Sequence, residues 1–240
     1  MNLFKSTTTF SFFTIISRIL GYIRDILIAI FLGAGPLADV FFVAFRIPNT
    51  FRRLFSEGTF NAAFVPSYAS ELANGKDQSE KFATSVFSLL IISLFFLVLI
   101  IEIFMPLFVF LIAPGFSGNE DKMDLVINLT RITFPFLLFV SLSSFFSAIL
   151  NSHNRFAVAA AAPVILNIFL ISVLLYGIIL GDRLVYYLAY TVTIAGIVQF
   201  LFLYNYVRKF YTPKFLLKFS IDEKIKIFFQ NYYQVFFHQE

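Results

Sequence analysis

Three stretches of this chain, residues 84–112, 156–180 and 184–207, contain at most one charged residue each. Each is longer than the roughly 18 apolar residues that mark a transmembrane candidate, because a hydrocarbon core about 30 Å thick takes about 20 helical residues to cross. A fourth stretch, 126–150, is apolar apart from Arg131 and contains Pro135. Two earlier stretches, 9–32 and 36–68, have the right length but carry embedded charges. Together they predict an all-α integral membrane lobe of six transmembrane helices. Hydrophobic residues make up 59% of the chain and charged residues 13%, against about 45–50% and about 25% in soluble domains. A water-soluble core could not absorb that excess.

The connections are short and polar, as in a compact bundle: Gly33-Ala34-Gly35-Pro36, 73–77, 113–124, 151–155 and 181–183. With the amino terminus inside, ten basic residues fall in the cytoplasmic segments (Lys5, Lys76, Lys81, Arg155, Arg208, Lys209, Lys214, Lys218, Lys224 and Lys226), and only Lys122 and Arg183 fall outside. That bias predicts both termini in the cytoplasm. The net charge of +4 is then a membrane-surface feature and not a nucleic-acid footprint. Residues 1–210 are expected to form the six-helix lobe, and 211–240 a basic cytoplasmic or interfacial tail. The 9–32 stretch continues through Arg18, Arg24 and Asp25 with no cleavage-site pattern, so it reads as a retained first helix.

The embedded charges carry the functional argument. Each Arg or Asp near a helix centre costs about 2.5–3.5 kcal/mol on insertion, while Leu, Ile and Phe return about 0.3–0.6 each. Arg18, Arg24 and Asp25 stand against fourteen Ile, Leu and Phe between Phe10 and Leu32, so the two sums roughly cancel. Such a helix must turn its charges toward protein or a water-filled cavity. At 100° per residue Arg18 and Asp25 nearly eclipse, with Arg24 about a quarter turn away and Ser11, Thr14 and Ser17 nearby in sequence. In the second stretch Asp39, Arg46 and Arg53 recur every seven residues, Glu57 follows Arg53 by four, and Arg52 points elsewhere. Pro48 and Gly58 offer places to bend, which is tolerated where a helix lines a cavity.

Arginines outnumber acids in these helices: Arg18, Arg24, Arg46, Arg52, Arg53 and Arg131 against Asp25, Asp39, Glu57 and Glu102. Two readings follow. Either the charges pair internally and brace the helices, or they line a cationic cavity for an anionic ligand, for which the planar guanidinium suits phosphate. Glu102 reads as structural or interfacial, Arg131 as an interfacial anchor and His153 as a surface residue. No Cys is present and there are only two His, so no metal site is expected. No zinc-protease pattern, nucleotide-binding loop or Cys nucleophile occurs, and neither an enzyme nor a cofactor is expected. Transport would then draw on an ion gradient, the membrane potential or a partner.

Several motifs go further. Ser17-Arg18-Ile19-Leu20-Gly21-Tyr22-Ile23-Arg24-Asp25 resembles the first helix of the MurJ/MviN family of lipid II flippases. Asp39 through Asn49 and Arg52-Arg53-Leu54-Phe55-Ser56-Glu57-Gly58 resemble its second helix. Ala62-Ala63-Phe64-Val65-Pro66, Ala113-Pro114-Gly115-Phe116, Thr133-Phe134-Pro135, Leu150-Asn151 and Asn154-Arg155-Phe156 follow in family order. The resemblance runs to about residue 210, and after about Lys226 the motifs end.

The resemblance implies the fold of the multidrug/oligosaccharidyl-lipid/polysaccharide exporters, with two six-helix lobes around a cationic cavity and two further helices. It implies translocation of lipid II, the undecaprenyl-pyrophosphate-linked peptidoglycan precursor, by alternating access across the bacterial cytoplasmic membrane. Arg18, Arg24 and Arg52 would engage the headgroup, with Asp25 organising Arg24. Asp39 and Glu57 would be required acids, and Ser17, Arg46 and Arg53 further cavity residues. The family chain is about twice as long, so this sequence reads as the amino-terminal half. The second lobe would supply a further cavity arginine, a sodium site and a groove for the lipid tail. The half chain, whether truncated, frameshifted or completed by a second polypeptide, is expected not to flip lipid alone. The alternatives are an exporter of small organic cations on the same fold, which the arginine surplus disfavours, and a non-transporting scaffold of the cell-wall synthesis machinery.

Overall fold

The structure is a computed structural model; it describes residues 3–33, 35–56, 59–216, 225–228, 230 and 232, with the side chains of 3–7, 52–56, 59 and 182 outside that description. Among the described residues every regular element is helical: α1 (Leu3–Leu32), α2 (Pro36–Ser56), α3 (Thr59–Asn74), α4 (Lys76–Ile103), α5 (Met105–Ile112), α6 (Glu120–Thr133), α7 (Phe136–Ser152), α8 (Phe156–Leu174), the single turn α9 (Gly177–Leu180) and α10 (Leu184–Val207). Among the described residues, four segments are long and apolar enough to cross a membrane: Lys76–Ile103, Glu120–Ser152, Phe156–Leu174 and Leu184–Val207. The charged α1 and α2 fall outside that set, so a count of six spans rests on the charge argument and not on hydropathy.

The helix boundaries reveal what hydropathy does not. The span expected at 84–112 starts at Lys76 and breaks at Phe104 into α4 and α5. The span expected at 126–150 runs from Glu120 to Ser152 and breaks at Phe134–Pro135. Asn119 caps α6, its side chain accepting a hydrogen bond from the Lys122 N–H at 3.0 Å. Pro48, by contrast, sits inside an uninterrupted α2, and Gly58 lies outside the described residues.

How Pro48 is tolerated is visible in the hydrogen bonds. A proline has no N–H for the carbonyl four residues earlier, which here is that of Ala44. Thr133 of α6 donates its hydroxyl to the Ala44 carbonyl at 2.7 Å. At the break between α6 and α7, Thr193 of α10 donates to the Ile132 carbonyl. Neighbouring helices thus satisfy backbone that a proline or a helix break would leave bare in lipid, as a spanning segment requires.

α7 is the central element. It buries Phe136, Leu137, Val140, Phe145, Phe146, Ala148, Ile149 and Leu150 and packs against α2, α3, α4, α8 and α10. α1 lies at the edge and packs chiefly on α8. The outer faces of α4 and α5 are apolar and exposed, for example Phe95, Phe96, Ile100, Ile103 and Leu111, as lipid-facing surface should be. Beyond α10 the chain turns back along α4. The Tyr211 hydroxyl donates to Thr84 Oγ1 at 3.3 Å, and the Leu216 N–H donates to Ser88 Oγ at 3.0 Å. Ile225 and Phe228 are also buried, so residues on both sides of position 210 share one packed core.

Candidate functional site

α1 meets α8 where Gly21 faces the Asn167 side chain; a Cβ at Gly21 would make only ordinary contact there, 3.8 Å from Asn167 Nδ2. Asn167 is 5% exposed and uses both ends of its amide. Its Nδ2 donates to the Ser17 carbonyl at 3.0 Å, and its Oδ1 accepts from Arg24 Nη1 at 2.8 Å. Arg24 also donates from Nε and Nη2 to Asp25 Oδ1 at 3.0 and 2.8 Å. Its guanidinium lies 5.7 Å from the Phe45 ring centre, a cation–π contact with α2.

Three of the five N–H donors of Arg24 are therefore used, and the other two have no partner among the described residues and are available to a ligand. Its side chain is 17% exposed and that of Asp25 is 56% exposed. The arginine is thus fixed at the wall while its carboxylate stays in contact with solvent.

That wall belongs to a cavity of about 790 Å³ between α1, α2, α7, α8 and α10. Its polar lining is Arg24, Asp25, Arg46, Asn49, Thr50, Asn167 and Gln199, and its apolar lining is Phe42, Phe45, Phe136, Val140, Pro163 and Leu166. Asn49 and Thr50 turn back onto their own helix, donating to the Phe45 and Arg46 carbonyls. Among the described residues no carboxylate pairs with Arg46. The lining charge is therefore positive, with Arg24 and Arg46 against Asp25.

The structure divides the residues predicted from sequence. Arg24, Asp25 and Arg46 line the cavity together. Ser17 contributes its backbone carbonyl to Asn167. Arg18 and Asp39 are exposed, outside the cavity lining, and unpaired among the described residues. The side chains of Arg52 and Arg53, and all of Glu57, lie outside the described residues. Asn167 and Gln199 are uncharged and stand outside the set of residues predicted from sequence, which consists mainly of embedded charges. The available signal was an amide isolated in an apolar helix, the uncharged counterpart of a buried arginine.

Outside the cavity, His153 is not the simple surface residue expected. It is partly buried, its Nε2 lies 3.1 Å from the Tyr68 hydroxyl, and its ring stacks on Phe210 at 4.5 Å. Glu102 is partly buried on α4, and its Oε1 has no hydrogen-bond partner. Arg131 is exposed in the last turn of α6, as an interfacial anchor would be.

The comparisons with known proteins bear on this arrangement. The family model described as lipid II flippase MurJ matches residues 28–238, so the likeness continues past Lys226, where the motifs alone end. A probable lipid II flippase MurJ of Rhizobium tropici is 46% identical over 213 residues, which are 87% of this chain and 40% of the relative. The lipid II flippase MurJ of Burkholderia cenocepacia is 38% identical over 203 residues, 84% of this chain and 39% of the relative. This chain thus spans about two fifths of the length of these curated relatives. A solved lipid II flippase MurJ in an inward closed conformation superposes with a TM-score of 0.77 at 27% identity, covering 96% of this chain and 48% of that one. A transporter of the MOP superfamily from Pyrococcus furiosus shares the fold at a TM-score of 0.64 and 16% identity. With its family match over most of its length and relatives this similar, the chain belongs to the lipid II flippase MurJ family.

Proposed function

We propose that this chain forms one lobe of a transporter that moves lipid II from the inner to the outer leaflet of the bacterial cytoplasmic membrane by alternating access, with both termini in the cytoplasm. The observation that carries the proposal is the positively charged cavity, in which Arg24 is held by Asp25 and Asn167 and keeps two donors without a described partner while Arg46 has no described carboxylate partner. A pyrophosphate offers acceptor oxygens to such donors in a site where apolar walls weaken screening by water. Arg18, Arg52, Arg53, Asp39, Glu57 and Ser17 are proposed to serve the same lobe. Alternation needs a second lobe facing this cavity, in the same or another polypeptide, and the chain alone is proposed not to flip lipid. The positive lining disfavours export of organic cations.

The test is binding in detergent of undecaprenyl pyrophosphate, a neutral polyprenol and a lipophilic cation. The charged lipid should bind best. Arg24→Ala and Arg46→Ala should each weaken it about tenfold or more, since a hydrogen bond from a charged donor is worth about 1.5–3 kcal/mol. Equal binding of pyrophosphate and polyprenol, unaltered by either substitution, would refute the reading.

A further inference from the structure

Gln199 is the one polar residue that α10 contributes to the cavity lining. It is 3% exposed and makes no hydrogen bond to any described residue. The contrast with Asn167 is sharp, because that amide spends both its donor and its acceptor on α1. An amide buried without a partner is costly, and one facing a cavity is met by water until a ligand displaces it.

We infer that Gln199 reads the uncharged part of the headgroup, hydrogen-bonding a saccharide hydroxyl or acetamido group, or a peptide amide, while the pyrophosphate lies on the arginine side. This rests on the proposed function and refines it. Matching of donors and acceptors selects the ligand group. Ionised phosphate oxygens only accept, so they can satisfy the Gln199 NH2 but leave its carbonyl oxygen without a donor. A hydroxyl or a secondary amide supplies both a donor and an acceptor. The two arginines come from α1 and α2, and the amide comes from α10, so one elongated headgroup can meet both at once. One turn before Gln199, Gly196 lets the Phe136 ring pack flush against α10. A Cβ there would stand 2.6 Å from Phe136 Cδ2. Phe136 lines the same cavity and gives a sugar an apolar surface beside the amide.

A polar group matched in this way discriminates by leaving the site unpaired when the ligand lacks its counterpart. The experiment compares three probes in detergent: undecaprenyl pyrophosphate, the same lipid carrying a disaccharide, and the lipid carrying the disaccharide and pentapeptide. Wild-type chain is compared with Gln199→Leu, and with the unbranched Gln199→Met should the first fail to fold. The expected result is about tenfold weaker binding of the disaccharide lipid with the bare pyrophosphate lipid changed less than twofold, which places a saccharide group on Gln199. A loss confined to the pentapeptide lipid supports the inference with a peptide amide as the partner. An equal loss on all three probes, or no loss on any, overturns it. Wild-type chain that binds no pyrophosphate lipid overturns the proposed function and this inference together. Normal pyrophosphate binding with no discrimination at Gln199 overturns this inference alone.

Discussion

Arg24 is a long side chain with about 2 kcal/mol of rotamer entropy to lose on being fixed, and two partners share the fixing. Asp25, its neighbour in sequence, supplies charge but is more than half exposed, and exposed pairs contribute little. Asn167 comes from another helix and is buried, so it decides the direction of the guanidinium and joins α1 to α8 through the Ser17 carbonyl. Asn167→Leu should therefore lower stability by about 1 kcal/mol, near the usual net value of such hydrogen bonds. It should also weaken undecaprenyl pyrophosphate binding severalfold. Chemical denaturation and the binding assay measure the two effects, and a variant matching the parent in both would remove Asn167 from this role. Arg24, Asp25 and Arg46 were legible in the sequence because a charge among apolar residues must have a destination. Asn167 and Gln199 were not, because an amide is tolerated more easily and because their partners lie far away along the chain. The resemblance pointed equally to Arg18 and Asp39, yet both stand outside the cavity lining in this structure.

At the scale of elements, hydropathy revealed that spans exist but not where they break. Phe104 and Pro135 divide two spans: residues on both sides of Phe104 are apolar and only Pro106 marks that break, whereas at Pro135 the charged α6 gives way to the apolar α7 within one stretch that hydropathy averages into a single span. Pro48 shows the converse, a residue that usually ends a helix and does not, because Thr133 of another helix accommodates it. Such rescue is tertiary and cannot be seen along one stretch of sequence. Close packing of α10 on α7 is equally specific. Gly196→Ala would place its Cβ 2.6 Å from Cδ2 and 3.2 Å from Cε2 of Phe136, a ring that is 1% exposed. Overpacking of this kind costs about 1–3 kcal/mol. The substitution should lower the melting temperature in detergent, and adding Phe136→Leu, which removes the struck ring atoms, should restore part of the loss. If Gly196→Ala melts with the parent, the two helices are not in the close contact described.

Across the whole molecule, a second organising centre of different chemistry lies outside the cavity lining. Phe60, Phe64, Phe82, Phe145 and Phe228 form an aromatic cluster joining α3, α4 and α7 to the segment beyond α10. Tyr211 joins it against Phe145, and burial pushes its phenol up to about 12, so it stays a hydrogen-bond donor to Thr84. His153, in the turn after α7, ties this centre to the end of α10 through Tyr68 and Phe210. Arg155 lies on the same Phe210 ring, 5.7 Å from its centre. Burial lowers the His153 pKa from its ordinary value of 6.5, because the imidazolium loses hydration there. A group whose folded-state pKa is depressed contributes stability fully above its unfolded value, and that contribution is lost as pH falls through the folded value. Protonation would also bring a second cation to the ring that Arg155 already occupies. The melting temperature of the chain should therefore fall from pH 7.5 to pH 5, and fall less for His153→Gln, which keeps a hydrogen-bonding side chain without titrating. Because carboxylates titrate alike in both proteins, the difference between the two slopes isolates the imidazole. Parallel slopes would mean that His153 reaches water in the folded chain as readily as in the unfolded one.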